Sequence, residues 1–419
     1  MIRTIVLQQK EERDFLLKKK YQKRVSEKEN ENLLQSSLIK LITGPRRAGK
    51  SVYALQLLNG QNFAYLNFDD ELLLKHFDEN SLMQQLLEIY PNFSYLLLDE
   101  IQNLPHWDIW VGKLYRRGMN LIITGSNANL LSNEMATVLT GRYLQINILP
   151  FNFLEILEYN DVSIRDDTPA EKALLMQQLN DYLQLGGFPE IIKQRSITRN
   201  YLSFLFDSIL LKDITRRYKV RNSSELYNLA NYLLTNFCNT ISINQLAEDL
   251  QLGSVHTVKK FCKYLSEPYL FFFLPRFNSK LKLMQKAPLK IYTVDNGFIF
   301  ARSFELSKNY GRLLENLVFV NLLRKGYVTS MTLFYYRTRN DKEIDFVCKE
   351  NFKVSYLMQV SYDISNSKTL KREIAALIEA SKELNCDNLI ILTWDTAQTI
   401  VENSCEIKII PVWKWLLNC

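Results

Sequence analysis

The stretch that most constrains this chain is KLITGPRRAGKSV, residues 40–52. An apolar run enters Gly44, four residues pass, and Gly49, Lys50 and Ser51 follow, matching G-x-x-x-x-G-K-[ST]. The residues before it, Ser37–Thr43, read as a buried strand, and KSVYALQLL reads as a helix that starts where the loop ends. A strand, a glycine-bearing loop and a helix in that order form a cradle for phosphates. The glycines reach conformations a side chain forbids, the loop N–H groups turn inward, and the helix N-terminus adds positive potential. The cradle is expected to comprise Gly44, Pro45, Arg46, Arg47, Ala48, Gly49, Lys50, Ser51 and Val52. Lys50 is expected to neutralise the β- and γ-phosphates, and Ser51 to place its hydroxyl on Mg2+.

Such a loop needs a second metal ligand. FSYLLLDEIQ, residues 93–102, supplies an apolar run that ends in Asp99 and Glu100. Asp99 falls at the C-terminal end of a strand, where open α/β sheets bind ligands, and is expected to hold Mg2+. Glu100 is placed to take a proton from the attacking water. A third strand, NLIITGSN at 120–127, ends in Thr124, Ser126 and Asn127. Asn127 or Ser126 at that end either orients water beside the γ-phosphate or caps the following helix. Arg142 in LTGRY either reaches the γ-phosphate, in cis or from a neighbouring subunit, or is a surface charge.

Length sets the frame for the rest. At 419 residues the chain is too long for one core, and its apolar fraction of 47% is globular. No apolar run is long enough to span a bilayer and no cleavable N-terminal signal is visible, so no membrane partner is expected. The six cysteines (Cys238, Cys262, Cys348, Cys386, Cys405 and Cys419) form no C-x-x-C pair. The three histidines lie far apart, so neither a disulfide framework nor zinc is indicated and a reducing cytoplasm is expected. The net charge of +7 permits a nucleic-acid partner without requiring one.

The expected organisation runs as follows. Residues 1–36 carry an amphipathic helix, its charge-rich part at 8–36, packed on the core of 37–160, which alternates strands and helices in a doubly wound α/β pattern. Residues 161–220 form a helical lid, with Gly186, Gly187 and Pro189 marking a junction to the next domain. Residues 221–300 read as three helices and a hairpin wing, a winged helix-turn-helix, in which Thr257, Lys259, Lys260 and Lys263 sit on or near the recognition helix. That module either binds DNA or serves only for packing. Residues 301–419 open a further α/β unit.

Taken together, GPRRAGKS, LLLDEIQNLPHW, LIITGSN, LTGRY, PFNFLEIL, YLQLGGFPE, KIYTVDNGF and GRLLENLVFVNLL with EIDFV resemble the bacterial and archaeal AAA-type ATP-binding proteins that carry a C-terminal domain of unknown function. The resemblance covers nearly the whole chain. It implies a P-loop ATPase sheet with a helical lid, a winged helix, and a restriction-endonuclease-like C-terminal domain, with ATP and Mg2+ as cofactors. The nuclease-like signature would place a glutamate on a helix, an aspartate on a strand, and Glu-x-Lys on the next strand. The matching positions are Glu315, Asp345, Gln359 and Ser361, so the last two have lost the carboxylate and the lysine. A neutral amide is a weak ligand for a hard cation, and the domain is expected to be degenerate unless Lys342, Lys353, Lys368 or Lys371 substitutes in space. The reading is an ATP-driven molecular switch whose partner is double-stranded DNA or a protein, with a homo-oligomer as one arrangement it allows. The alternatives are an ATP-dependent nuclease and an ATP-sensing regulator.

Overall fold

The computed structural model describes residues 1–25, 32–126, 139, 141–164, 167–302 and 309–417. It divides into two compact units, Met1–Phe151 and Asn152–Cys419.

The first unit is built on five parallel strands: β1 (Ile39–Thr43), β2 (Phe63–Asn67), β3 (Tyr95–Asp99), β4 (Leu121–Gly125) and β5 (Tyr143–Asn147). Their order across the sheet is β2-β3-β4-β1-β5. Every residue of β1 and β4 is buried, which is why these strands read as continuous runs: both faces are covered. Alternate residues feed two cores. Ile39, Leu41, Leu96, Leu98 and Ile123 face one side with Trp107, Trp110 and Leu114 of α3 (Trp107–Arg116), while Ile42, Leu97 and Ile122 face the other with Tyr53 and Leu57 of α2 (Lys50–Leu57). The α/β pattern is as expected from the sequence. The register pairs Thr43 with Gly125 and Asn67 with Asp99, so the ends of the central strands come level on one edge of the sheet.

The N-terminal helix differs from expectation. It is α1, Ile2–Leu17, beginning before the charged stretch and ending well short of residue 36. It buries Ile5, Val6 and Gln9, and the Gln9 amide both donates to the Asn67 carbonyl (3.1 Å) and accepts from the Asn67 N–H (3.0 Å). Beyond Leu17 the polar run offers no apolar stripe to bury, and the chain continues as non-helical backbone to Val25.

The second unit holds two sheets. The smaller has three antiparallel strands, β6 (Thr240–Ile241), β7 (Phe271–Pro275) and β8 (Leu289–Thr293), ordered β6-β8-β7. It follows α4 (Ser223–Thr235) and is interleaved with α5 (Ile243–Asp249) and α6 (Val255–Ser266). A short helix, Leu281–Lys286, lies between β7 and β8, so the pair is not the plain hairpin expected. The larger sheet runs β13-β14-β12-β11-β10-β9, from β9 (Leu333–Arg337), β10 (Glu343–Glu350), β11 (Lys353–Val360), β12 (Leu389–Thr393), β13 (Gln398–Glu402) and β14 (Cys405–Pro411). Helices α7 (Tyr310–Arg324) and α8 (Ser367–Leu384) complete it.

The Gly186–Pro189 turn, expected at a domain junction, lies inside this unit. Asp295 accepts from the N–H groups of Gly187 and Gly297 (2.8 Å each). The neighbouring Asn296 amide donates to the carbonyls of Leu183 (2.8 Å) and Leu313 (2.9 Å). Buried backbone groups left open by the turn are thereby paired. No helix among the described residues is long and apolar enough to cross a membrane.

Candidate functional site

The loop after β1 is shaped by backbone that few residue types tolerate. Gly44 has φ +147°, and a Cβ there would lie 1.9 Å from the carbonyl oxygen of Ile148. Gly49, at φ +95°, precedes the first residue of α2, and Arg47 between them is also left-handed at φ +66°. Left-handed residues interspersed through a short loop curl it around an anion-sized concavity. Within it Ala48 is buried, Arg46, Ser51 and Val52 are half-buried, and Arg47 is exposed.

Lys50 is buried at 4% exposure. Its ammonium donates to the Pro45 carbonyl (3.1 Å) and lies 3.8 Å from Glu100 Oε1. The Ser51 hydroxyl donates to Asp99 Oδ1 at 2.8 Å. Thr124 Oγ1 donates to the same carboxylate oxygen and accepts from the Glu100 N–H (3.0 Å). The Tyr65 hydroxyl reaches the other oxygen of Asp99 at 3.4 Å. Burial and the neighbouring Glu100 push the Asp99 carboxyl up to about 6, against the pull of Thr124, Ser51 and Lys50. Glu100 has φ +51°, a left-handed backbone uncommon outside glycine, and Gln102 donates to its carboxylate. A hydroxyl and a carboxylate side by side at a phosphate cradle are hard oxygen donors of the kind Mg2+ takes, so the residues present fit that ion.

Arg24 is a site residue that no motif marks. It is buried, its guanidinium donates to the carbonyls of Ala48 and of Leu149 (3.1 Å), and it stacks 4.2 Å from the Phe151 ring centroid. It thus ties the N-terminal segment to the phosphate loop. Within a lysine- and arginine-rich stretch nothing marks this one residue, whereas Thr124 was legible as a polar strand end. Ser126 is buried near Gln102 (3.5 Å), and Asn127 lies outside the described residues.

Arg142 is a correction. Its carbonyl accepts from the Ile39 N–H, and Tyr143 pairs with Ile39, so Arg142 precedes β5 at the sheet edge opposite the loop. Its guanidinium lies 5.8 Å from the Tyr115 ring centroid. The strand between the two edges spans about 16 Å, at roughly 3.3 Å per residue, so a contact in cis with the phosphate is excluded.

In the second unit Glu315, Asp345 and Gln359 do come together, around a lysine that the sequence reading did not choose. Lys290 Nζ on β8 lies 2.7 Å from Glu315, 2.8 Å from Glu343 and 2.8 Å from Asp345. None of the four proposed lysines supplies this charge: Lys342 pairs with Glu379 (3.0 Å), and Lys353, Lys368 and Lys371 are exposed. Ser361 donates to the Asp363 carbonyl (3.2 Å) and plays no part. The available signal was a lone lysine inside the apolar strand LKIYT. On α6, Lys259, Lys260 and Lys263 are exposed, while Thr257 lies 3.0 Å from the Ser254 hydroxyl that caps the helix.

Residues 36–157 match an AAA domain, 176–324 a domain of unknown function (DUF8612), and 310–415 another (DUF4143). A Methanocaldococcus jannaschii protein described as uncharacterized protein MJ1544 is 38% identical over 398 residues, covering 91% of this chain and 88% of its own. An uncharacterized Haemophilus influenzae protein is 32% identical over 347 residues, covering 78% and 84%. Among solved structures, the Walker-type ATPase paby2304 of Pyrococcus abyssi aligns with a TM-score of 0.45 at 13% identity, over 68% of this chain and 99% of that one.

Proposed function

The chain belongs to the family of these archaeal and bacterial AAA-domain proteins, and on that premise we propose that it binds and hydrolyses ATP and works as a nucleotide-driven molecular switch. The observation that carries the reading is the 2.8 Å contact between Ser51 and Asp99, which joins the phosphate loop to the acidic end of β3. Ser51 and Asp99 would hold Mg2+, which would supply Lewis-acid stabilisation of charge on the β- and γ-phosphates. Lys50, held here by Pro45 and Glu100, moves its ammonium onto the same phosphates. Glu100 accepts the proton of the attacking water, with its main chain fixed by Thr124. ATP as the nucleotide follows from the family resemblance. A homo-oligomer would bring a neighbouring copy's nucleotide to Arg142.

The partner reading rests on a separate observation. Three helices with a β6-β8-β7 antiparallel sheet support a winged-helix reading, and Lys259, Lys260 and Lys263 are exposed on α6. Double-stranded DNA is the partner this supports. The larger sheet, with Glu315 on a helix and Asp345 and Gln359 on adjacent strands, supports a nuclease-like fold that has lost its chemistry. Steady-state phosphate release with and without duplex DNA tests the coupling. A DNA-dependent rate supports it, and an unchanged rate together with no DNA binding at low salt removes DNA as the partner.

A further inference from the structure

The carboxylate centre of the second unit holds no arrangement fit for a metal. Among the described residues no group of three His, Cys, Asp or Glu side chains is set to bind one. The reason is visible in the bonding. Lys290 is 2% exposed, and an ammonium has three N–H donors. It meets three carboxylates, Glu315 (2.7 Å), Glu343 (2.8 Å) and Asp345 (2.8 Å).

Two of the three other carboxylate oxygens are committed elsewhere, and Glu315 Oε1 takes a second donor. Asp345 Oδ2 accepts from the Val360 N–H (2.9 Å), Glu343 Oε2 from Arg337 (3.0 Å), and Glu315 Oε1 also from the Tyr292 hydroxyl (2.7 Å). The Gln359 amide is fully used: its oxygen accepts from the Asp345 N–H (2.8 Å), and its NH2 donates to the Glu343 carbonyl (2.8 Å) and to Glu373 (2.7 Å). Where a nuclease-like centre would present a ligand oxygen, this one presents an amide turned to its own main chain.

We propose that Lys290 is the resident cation of this centre: its ammonium stands in the place of a divalent metal and clasps β8 to β10 and α7, and removing its side chain opens a site for one hard divalent cation. Burial disfavours its charge, but Asp345, Glu315 and Glu343 outweigh burial and hold its pKa well above the ordinary value. The cation is therefore permanent. The oxygens stand 2.7–2.8 Å from the nitrogen, nearer the Ca2+–oxygen range of about 2.3–2.6 Å than the Mg2+ range of about 2.0–2.1 Å. Stripped of their lysine, buried Glu315 and half-buried Glu343 and Asp345 carry a surplus of negative charge, offset only in part by Arg337 on Glu343, that Ca2+ relieves with a small inward shift.

The test is calorimetric titration of Ca2+ into the nucleotide-free full chain, with melting curves in Ca2+ and in chelator. The wild-type protein is expected to take up no Ca2+ at this centre and to melt alike in both. Lys290→Ala is expected to melt lower in chelator, to bind one equivalent of Ca2+, and to recover part of its melting temperature. Adding Asp345→Asn to that variant is expected to abolish the uptake. A folded Lys290→Ala that takes up no Ca2+ overturns the proposal, as does wild-type uptake that Asp345→Asn removes. Should Lys290→Ala not fold, wild type against Asp345→Asn decides: equal absence of uptake supports the proposal, and uptake lost in the variant overturns it.

Discussion

The Ser51 hydroxyl and the Asp99 carboxylate are hydrogen-bonded at 2.8 Å across the gap between the phosphate loop and β3. In the proposed mechanism this pair would hold Mg2+. Ser51→Ala is expected to weaken Mg-ATP binding about tenfold, the equivalent of roughly 1.4 kcal/mol, while leaving ATP binding in chelator almost unchanged. Calorimetry in Mg2+ and in chelator checks it. An equal loss in both conditions would assign Ser51 to the loop's shape instead.

Glu100 keeps a left-handed backbone that Thr124 and Gln102 hold in place. As the proton acceptor, its replacement in Glu100→Gln is expected to lower turnover by about 10²–10⁴ while nucleotide still binds. Single-turnover hydrolysis beside a binding isotherm separates the two effects.

Gly44 has no room for a side chain, since a Cβ would sit 1.9 Å from the Ile148 carbonyl oxygen. Gly44→Ala is expected to lower the melting temperature by roughly 5 °C or more and to abolish nucleotide binding, as the loop gives way before the strand does. A melting curve with and without Mg-ATP reads both.

Arg24 holds the carbonyls of Ala48 and Leu149 from a buried position. Arg24→Met keeps much of the side-chain volume but removes the charged donors, and is expected to cost about 2–4 kcal/mol and to loosen ATP binding. Chemical denaturation measures the first and calorimetry the second. Unaltered nucleotide affinity would confine Arg24 to stability.

The buried acids give the second unit a pH dependence with a definite sign. Burial pushes Glu315 up to about 7 from 4.5 and Asp295 up to about 6 from 3.8. Between the two values of each group the folded chain binds more protons than the unfolded one. Unfolding free energy therefore falls as pH rises, by up to about 1.4 kcal/mol per pH unit for each group. Glu315 faces Lys290, Tyr292, Asp345 and Cys238. Glu315→Gln is expected to flatten the decline between pH 5 and about 7, leaving the part due to Asp295. Denaturation midpoints across that range check it.

The first unit was legible because its strands are short continuous apolar runs ending in polar residues. Such a run implies a strand covered on both faces, and its last residue implies the edge where ligands meet. Asp99, Glu100 and Thr124 were found that way. Arg24 and Lys290 were not, because each takes its meaning from chain distant in sequence. Arg24 reaches a loop more than twenty residues on, and Lys290 serves carboxylates on α7 and β10. Local pattern carries periodicity and motif spacing, but it does not say which buried charge faces which.

The central claim is that residues 44–51 hold the phosphates of ATP. The most direct measurement is calorimetric titration of Mg-ATP into the wild-type chain and into Lys50→Ala. One binding event in the wild type that disappears in a folded Lys50→Ala is the predicted result. No heat in the wild type, or the same isotherm in both, would contradict it.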